Sequence, residues 1–133
     1  MKKIAVIFIF LFCLKLSAQT LKVSPNGRFF TENNKPFFWQ GDTAWLLLKK
    51  CTREETINYL DTRKKQGFNV VQVMLLHDLK NPTNVYGKKA IEETDVSKII
   101  TTKGNNPQNS DEYDYWDHVE WVIDQAAKRK IYM

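Results

Sequence analysis

The sequence predicts an α/β fold, on three observations. Two segments carry clear helix start and stop signals, Thr52 to Gly67 and Asp114 to Lys130. Short apolar, strand-forming runs flank them: Phe37 to Gln40, Phe68 to His77, and Ile131-Tyr132-Met133. The resulting order of strand, helix, strand, long loop, helix, strand is that of βαβ units, whose strands pair in parallel.

The elements follow in chain order. Residues 1–19 read as a signal peptide outside the fold. Lys2 and Lys3 form the charged region, Ile4 to Leu14 an apolar core too short to span a bilayer, and Ser17-Ala18 a small-residue cleavage site. The alternative is an uncleaved membrane anchor. Lipoprotein processing at Cys13 is disfavoured by bulky Phe12. The expected destination is periplasmic or extracellular, with no membrane association after cleavage. From Leu21 to Pro36 come short strands joined by turns at Pro25-Asn26-Gly27 and Asn33-Asn34-Lys35-Pro36, with Arg28 to Thr31 as one strand. Phe37 to Gln40 is expected to be a buried strand, ended by Gly41-Asp42-Thr43.

Thr52 followed by Glu55 is a capping box. The helix it opens has Ile57 and Leu60 on its apolar side, cations Arg63, Lys64 and Lys65 at its negative end, and Gly67 as a left-handed stop. The valine-rich run Phe68 to His77 has the composition of a parallel strand covered on both faces. Residues 78–114 are polar and rich in turn residues. A loop of that length is expected to be functional or to carry small elements of its own. The second helix has Asp114 as N-cap and an apolar stripe of Val119, Val122, Ile123, Ala126 and Ala127. The last strand has three residues where about five or six are usual, so the chain is expected to hold an incomplete domain.

Composition narrows the function classes. The whole chain carries 20 basic and 15 acidic residues. Lys2, Lys3 and Lys15 belong to residues 1–20, which hold no acid, so the remaining count is 17 against 15. A nucleic-acid partner is therefore not expected. Cys51 is the one cysteine after residue 20. It supports no internal disulfide and reads as a small buried hydrophobe. His77 and His118 lack metal-ligand spacing, and neither a metal nor a cofactor is expected.

The blocks "PFFWQGDTAWLLL", "TREETINYLDTRKKQGFNVVQV", "NVYG" and "YWDHVEWVIDQAAKRKIYM" together resemble the opening of the apiosidase-like glycoside hydrolases, secreted bacterial enzymes built on a (β/α)₈ barrel. The resemblance covers roughly residues 22–133. One departure is Lys130, where the family usually has glycine. Such barrels run to about 250 residues. The resemblance thus implies that residues 20–133 are the N-terminal part of a TIM barrel, truncated near the start of strand three. It places the catalytic carboxylates on later strands, beyond residue 133. It implies a carbohydrate partner, namely plant cell-wall polysaccharide side chains.

Barrel active sites lie at the C-terminal ends of the strands. On that basis four residues are expected to contact sugar. Asp42 would end strand one and accept hydrogen bonds from hydroxyls; its alternative is capping the next turn. Trp45 would stack on a sugar face, or else lie in the core. His77 would end strand two, as a sugar ligand or a partner of Asp42. Tyr86, in Asn84-Val85-Tyr86-Gly87 on the long loop, would supply a platform. Gln72 is expected to point into the barrel, and His118 to be a surface or packing residue. The adjacent acids Glu54-Glu55, Glu92-Glu93 and Asp111-Glu112 do not have the separation that glycosidic chemistry needs and read as solvated. The alternative function is a non-catalytic secreted carbohydrate-binding or interaction module.

Export with cleavage near Ala18 or Gln19 is the expected fate of the N-terminus, and N-terminal sequencing of exported protein checks it. Retention of Met1 would remove the signal-peptide reading.

Overall fold

The computed structural model describes residues 21–133; the signal-peptide expectation for residues 1–19 lies outside them. The chain divides into two units, one ending at Phe38 and one spanning Trp39–Met133.

The first unit is a three-stranded antiparallel meander of β1 (Leu21–Val23), β2 (Phe30–Glu32) and β3 (Lys35–Phe37). Its turns are those the sequence marks. Gly27 has φ 71°, while Asn33 and Asn34 have φ 49° and 62°, the doubly left-handed pair of a two-residue hairpin. Buried Ser24 accepts the Arg28 and Phe29 amides with its hydroxyl, at 3.2 and 3.1 Å. The expected buried strand Phe37–Gln40 does not form. Phe37 ends β3, and Phe38 and Trp39 are 79% and 51% exposed. The Asn33-Asn34 turn sets the hairpin register Glu32↔Lys35 and so claims Phe37. Pro36, which has no N–H to donate, is tolerated because β3 is an edge strand.

The second unit is built on β4 (Gly41–Thr43) and β5 (Val70–Gln72), paired in parallel with register Gly41↔Val70, Asp42↔Val71 and Thr43↔Gln72. Tyr132 adds a parallel bridge to Val70 on the other side of β5. Thus Gly41-Asp42-Thr43 is the parallel strand itself, not its end. Between β4 and β5 the chain forms α1 (Leu47–Lys50) and α2 (Arg53–Lys65); α3 (Tyr115–Lys128) precedes the Tyr132 bridge.

Both long helices start and stop as the sequence signals. Thr52 caps α2 in a full capping box with Glu55. Gly67 has φ 89°, its amide donates to the Lys64 carbonyl, and the Phe68 amide donates to Arg63, which closes a Schellman motif. α3 ends the same way: Lys130 and Ile131 donate to Ala127 and Ala126. Lys130 there adopts φ 56°, a conformation that costs a non-glycine residue about 1 kcal/mol. Glycine would adopt it without that cost. The buried stripe of α3 is Tyr115, His118, Val119, Val122 and Ala126. Ile123, expected on it, is 49% exposed, and Ala127 is exposed. Each follows a buried residue and so sits about 100° around the helix from it.

Strand alternation sorts the sheet's side chains. Val71 is fully buried with Leu60, Ala126 and Ile131 beneath the helices; burying Leu60 and Val71 contributes about 1.5–3 kcal/mol each. The opposite face carries Val70, which is buried, with Gly41, Thr43 and Gln72, which are exposed. The expectation that Phe68–His77 is covered on both faces holds at Val70 and Val71 and fails beyond them: β5 keeps three residues, and Met74 and Leu75 are 41% and 46% exposed. Among the described residues the strands do not close into a barrel.

The long loop does carry small elements, a hairpin of β6 (Ile91–Glu92) and β7 (Asp95–Ile99). Ala90 and Ile91 are buried against Val119, Val122 and Leu48. Asp114 ties the loop to α3. Its carboxylate accepts the Trp116 and Asp117 amides at 2.7 and 3.0 Å and the Thr102 amide at 2.6 Å. Asp114→Ala is expected to cost about 1–2 kcal/mol of stability and to open residues 100–113 to limited proteolysis. Urea unfolding and protease digestion check it; an unchanged midpoint would show that the cap contributes nothing.

Candidate active-site face

The C-terminal ends of β4 and β5 are continuous with two chain segments that run side by side. The Ala44 amide donates to the Gln72 carbonyl at 2.8 Å, and the Met74 amide to the Trp45 carbonyl at 3.3 Å. Residues 44–52 and 73–90 are then locked further on. The Val85 amide reaches Leu48 O at 3.1 Å, Lys49 Nζ reaches Thr83 Oγ1 at 2.5 Å, and Tyr115 OH donates to Leu75 O. Trp45 and the segment leading to His77 thus share one face, at the end of the sheet where α2 and α3 begin. Trp45 is 58% exposed, so its core alternative is removed. His77 is half-buried, with Nδ1 2.8 Å from Asp78 Oδ2. The Asn81 amide first, and then the charge of His77 among others, hold the Asp78 carboxyl below the usual range.

Asp42 is placed differently. It lies mid-strand, on the Val71 side of the sheet, where α2 meets it. Its Oδ2 accepts the Tyr59 hydroxyl at 2.7 Å and the Arg63 guanidinium, and its Oδ1 accepts the Thr43 amide at 2.9 Å. The Tyr59 bond, ahead of Arg63 and Thr43, holds the carboxyl below its ordinary value. Burial and Asp42 together push the Tyr59 phenol up to about 12. Arg63 also lies over the Tyr59 and Phe68 rings, 4.9 and 5.6 Å from their centroids. The carboxylate is engaged by three donors of this chain, Tyr59, Arg63 and Thr43, and His77 is not among its partners.

Tyr86 sits at the N-terminus of α2, in a cluster that the sequence did not reveal. The Arg53 amide donates to its hydroxyl at 2.9 Å. The Arg53 guanidinium lies 5.2 Å from the Tyr86 ring and 5.0 Å from the Tyr113 ring. His118, fully buried, meets Tyr86 edge-on at 5.4 Å, stacks on Trp121 at 6.1 Å and shares a 3.0 Å hydrogen bond with Tyr113. Asn84, also buried, shapes the loop: its Oδ1 accepts the Tyr86 and Lys88 amides at 3.0 and 3.1 Å. Arg53, Asn84 and Tyr113 had no local signal beyond the quoted "NVYG". They are 30 or more positions from at least one partner, at separations periodicity does not reach.

The remaining candidates behave as structural groups. Burial raises the Cys51 thiol above its ordinary range, which suits an inert thiol. Glu55 belongs to the capping box, and Glu54, Glu92, Glu93 and Asp111 are exposed. No three His, Cys, Asp or Glu are grouped to hold a metal ion among the described residues.

The model of the apiosidase-like catalytic domain matches residues 24–133. The chain belongs to that family. A crystal structure of a glycoside hydrolase family 5 protein from Bacteroides vulgatus is 36% identical to this apiosidase-like chain, with a TM-score of 0.67 over 84% of it. A second solved structure, described as a glycoside hydrolase, is also 36% identical, with a TM-score of 0.68 over 86% of the chain. The apiosidase-like chain covers 23% and 24% of those two proteins, so it spans about a quarter of each. No curated protein matches it.

His118 gives the apiosidase-like unit an acid-sensitive point. Burial first, and then the Arg53 charge, lower its pKa to about 4 from 6.5. As pH falls through 6.5 the unfolded chain gains a proton that the folded chain refuses. The loss of stability grows until about pH 4, where the folded state also titrates. It totals about 3 kcal/mol. Melting temperature measured between pH 7 and 4.5 is expected to fall, and to fall less for His118→Gln; equal slopes would show that another group carries the dependence.

Proposed function

We propose that the chain forms the first part of a (β/α)₈ glycoside hydrolase domain. It is exported and acts on O-glycosidic bonds in plant cell-wall polysaccharide side chains. The observation that carries this reading is the family match across residues 24–133, laid over a parallel β4–α2–β5–α3–Tyr132 run that has βα-barrel order. The glycoside hydrolases it resembles support the same chemistry.

In this reading the open face bearing Gly41, Thr43 and Gln72 lines the barrel interior. It borders a cavity of about 430 Å³ that Trp39 and Tyr132 also line. Trp45 offers an exposed ring to a sugar face, His77 an imidazole whose Nδ1 lies 2.8 Å from Asp78 Oδ2, and Tyr86 an aromatic wall in a separate cavity at the start of α2. Asp42 serves them at one remove. By anchoring β4 to Tyr59 and Arg63 of α2, it fixes where residues 43–45 emerge. The acid and the nucleophile or base come from strands that follow residue 133.

The full-length protein carrying this chain is expected to release reducing sugar from plant cell-wall polysaccharides. No release from any of them, nor from aryl glycosides, would overturn the proposal. Within that enzyme Asp42→Ala is expected to cost about 1–2 kcal/mol of stability, with kcat/KM changed less than about threefold, under 1 kcal/mol. A tenfold or greater loss of kcat/KM at unchanged stability would instead mean that the carboxylate touches the substrate.

A further inference from the structure

A second cavity, of about 280 Å³, opens between the N-terminus of α2 and the segments around residues 86–88 and 107–113. Its walls are Arg53, Tyr86, Lys88, Gln108, Ser110 and Tyr113, with Pro107 at one side. That volume is just below the range for drug-sized ligands and suits one sugar ring. We propose that it is a subsite for a sugar residue bearing an oxyanion, a carboxylate or a sulfate, on the glycan that the barrel holds. The inference rests on the glycan reading above and deepens it.

Three features carry it. The first is charge. Two cations, Arg53 and Lys88, line the cavity, and among the described residues neither has a carboxylate within 4.0 Å. Arg63 and Arg129, by contrast, are each paired with an aspartate. A guanidinium left without an acid in a walled cavity is suited to a planar carboxylate or a sulfate, which it can hold through two parallel hydrogen bonds.

The second is order. Arg53 is held against the Tyr86 and Tyr113 rings at 5.2 and 5.0 Å, and Lys88 Nζ is steadied by the Ser110 carbonyl at 2.5 Å. Both cations are therefore arranged before any ligand arrives, which lowers the entropy cost of binding. The field of Arg53 also reaches His118 and helps to hold that ring neutral, so no second positive charge accumulates behind the cavity.

The third is the sugar-facing chemistry. Tyr86, 39% exposed, supplies aromatic surface for the apolar side of a ring, with the buried Tyr113 behind it. The Tyr86 oxygen accepts the Arg53 amide, which leaves the phenol hydrogen to donate. Gln108 and Ser110 offer polar side chains to ring hydroxyls. A neutral sugar would use the aromatic and hydroxyl groups and leave two cations unanswered.

The test is calorimetric titration of the full-length protein with methyl glucuronide, a glucose monosulfate and methyl glucoside. One or both charged sugars are expected to bind about tenfold or more tightly than methyl glucoside, with a preference that shrinks as salt is added. Carboxylate preference without sulfate preference, or the reverse, identifies the group. The preference is expected to vanish in Lys88→Gln and Arg53→Gln and to survive in part in Arg53→Lys. Lys88→Gln carries the decision if Arg53→Gln fails to fold. Equal binding of charged and neutral sugars, no binding of either, or a preference untouched by Lys88→Gln would overturn the subsite. Hydrolysis is scored separately. Hydrolysis without charge preference removes the subsite and leaves the glycosidase; charge preference without hydrolysis does the reverse.

Discussion

The parallel pairing of Gly41–Thr43 with Val70–Gln72 is the constraint on which the second unit depends. It fixes which side chain faces which layer. Asp42 and Val71 go to the helices, and Gly41, Thr43 and Gln72 to the open face. A slip of one residue would move Asp42 away from Tyr59 and Arg63 and take Val71 out of the cluster with Leu60, Ala126 and Ile131. Register is therefore specified twice, by an apolar contact and by a charge-assisted one. The second is unusual for a strand three residues long. With so few ladder bonds, the tie from β4 to α2 adds a restraint that hydrogen bonding within the sheet cannot supply.

From that pairing the functional face follows by connection rather than by composition. The segments after β4 and β5 leave the sheet together, and α1, the loop around Asn84 and the cap of α3 hold them in place. The polar side chains buried here are organisers. Asn84 turns the loop with its carbonyl oxygen, and Asp114 joins a helix start to a distant amide. Each would cost free energy if left unpaired, and each is paired. Residues that face solvent at this end, Trp45 and Tyr86 among them, are thus displayed on a scaffold that Asn84 and Asp114 hold in place.

Electrostatic roles divide along the same line. The sheet's carboxylate is neutralised by Arg63, and the helix-borne Asp61 by Arg129. Arg53 and Lys88 have no carboxylate within 4.0 Å among the described residues, and they line a cavity beside edge-to-face tyrosines and a histidine that its surroundings keep uncharged. Two cations held in one cavity without an acid leave positive potential available to a ligand.

Local chemistry was legible in the sequence wherever it acts over a few residues. The capping box at Thr52, the N-cap at Asp114, the stop at Gly67 and the hairpin turn at Asn33-Asn34 all stand where their side chains place them, because each needs only neighbours within four positions. The α/β order and the family blocks were legible for the same reason: they are patterns along the chain. The apolar run before Gly41 misled, because hydrophobicity does not say which partner strand will claim a residue. The turn claimed Phe37, and Gly41–Thr43 became the parallel strand. Likewise Asp42, Arg53 and His118 took their roles from partners between 5 and 60 positions away. Only tertiary structure could bring those groups within hydrogen-bonding distance, so only it could decide that Asp42 faces a helix and that Arg53 faces a cavity.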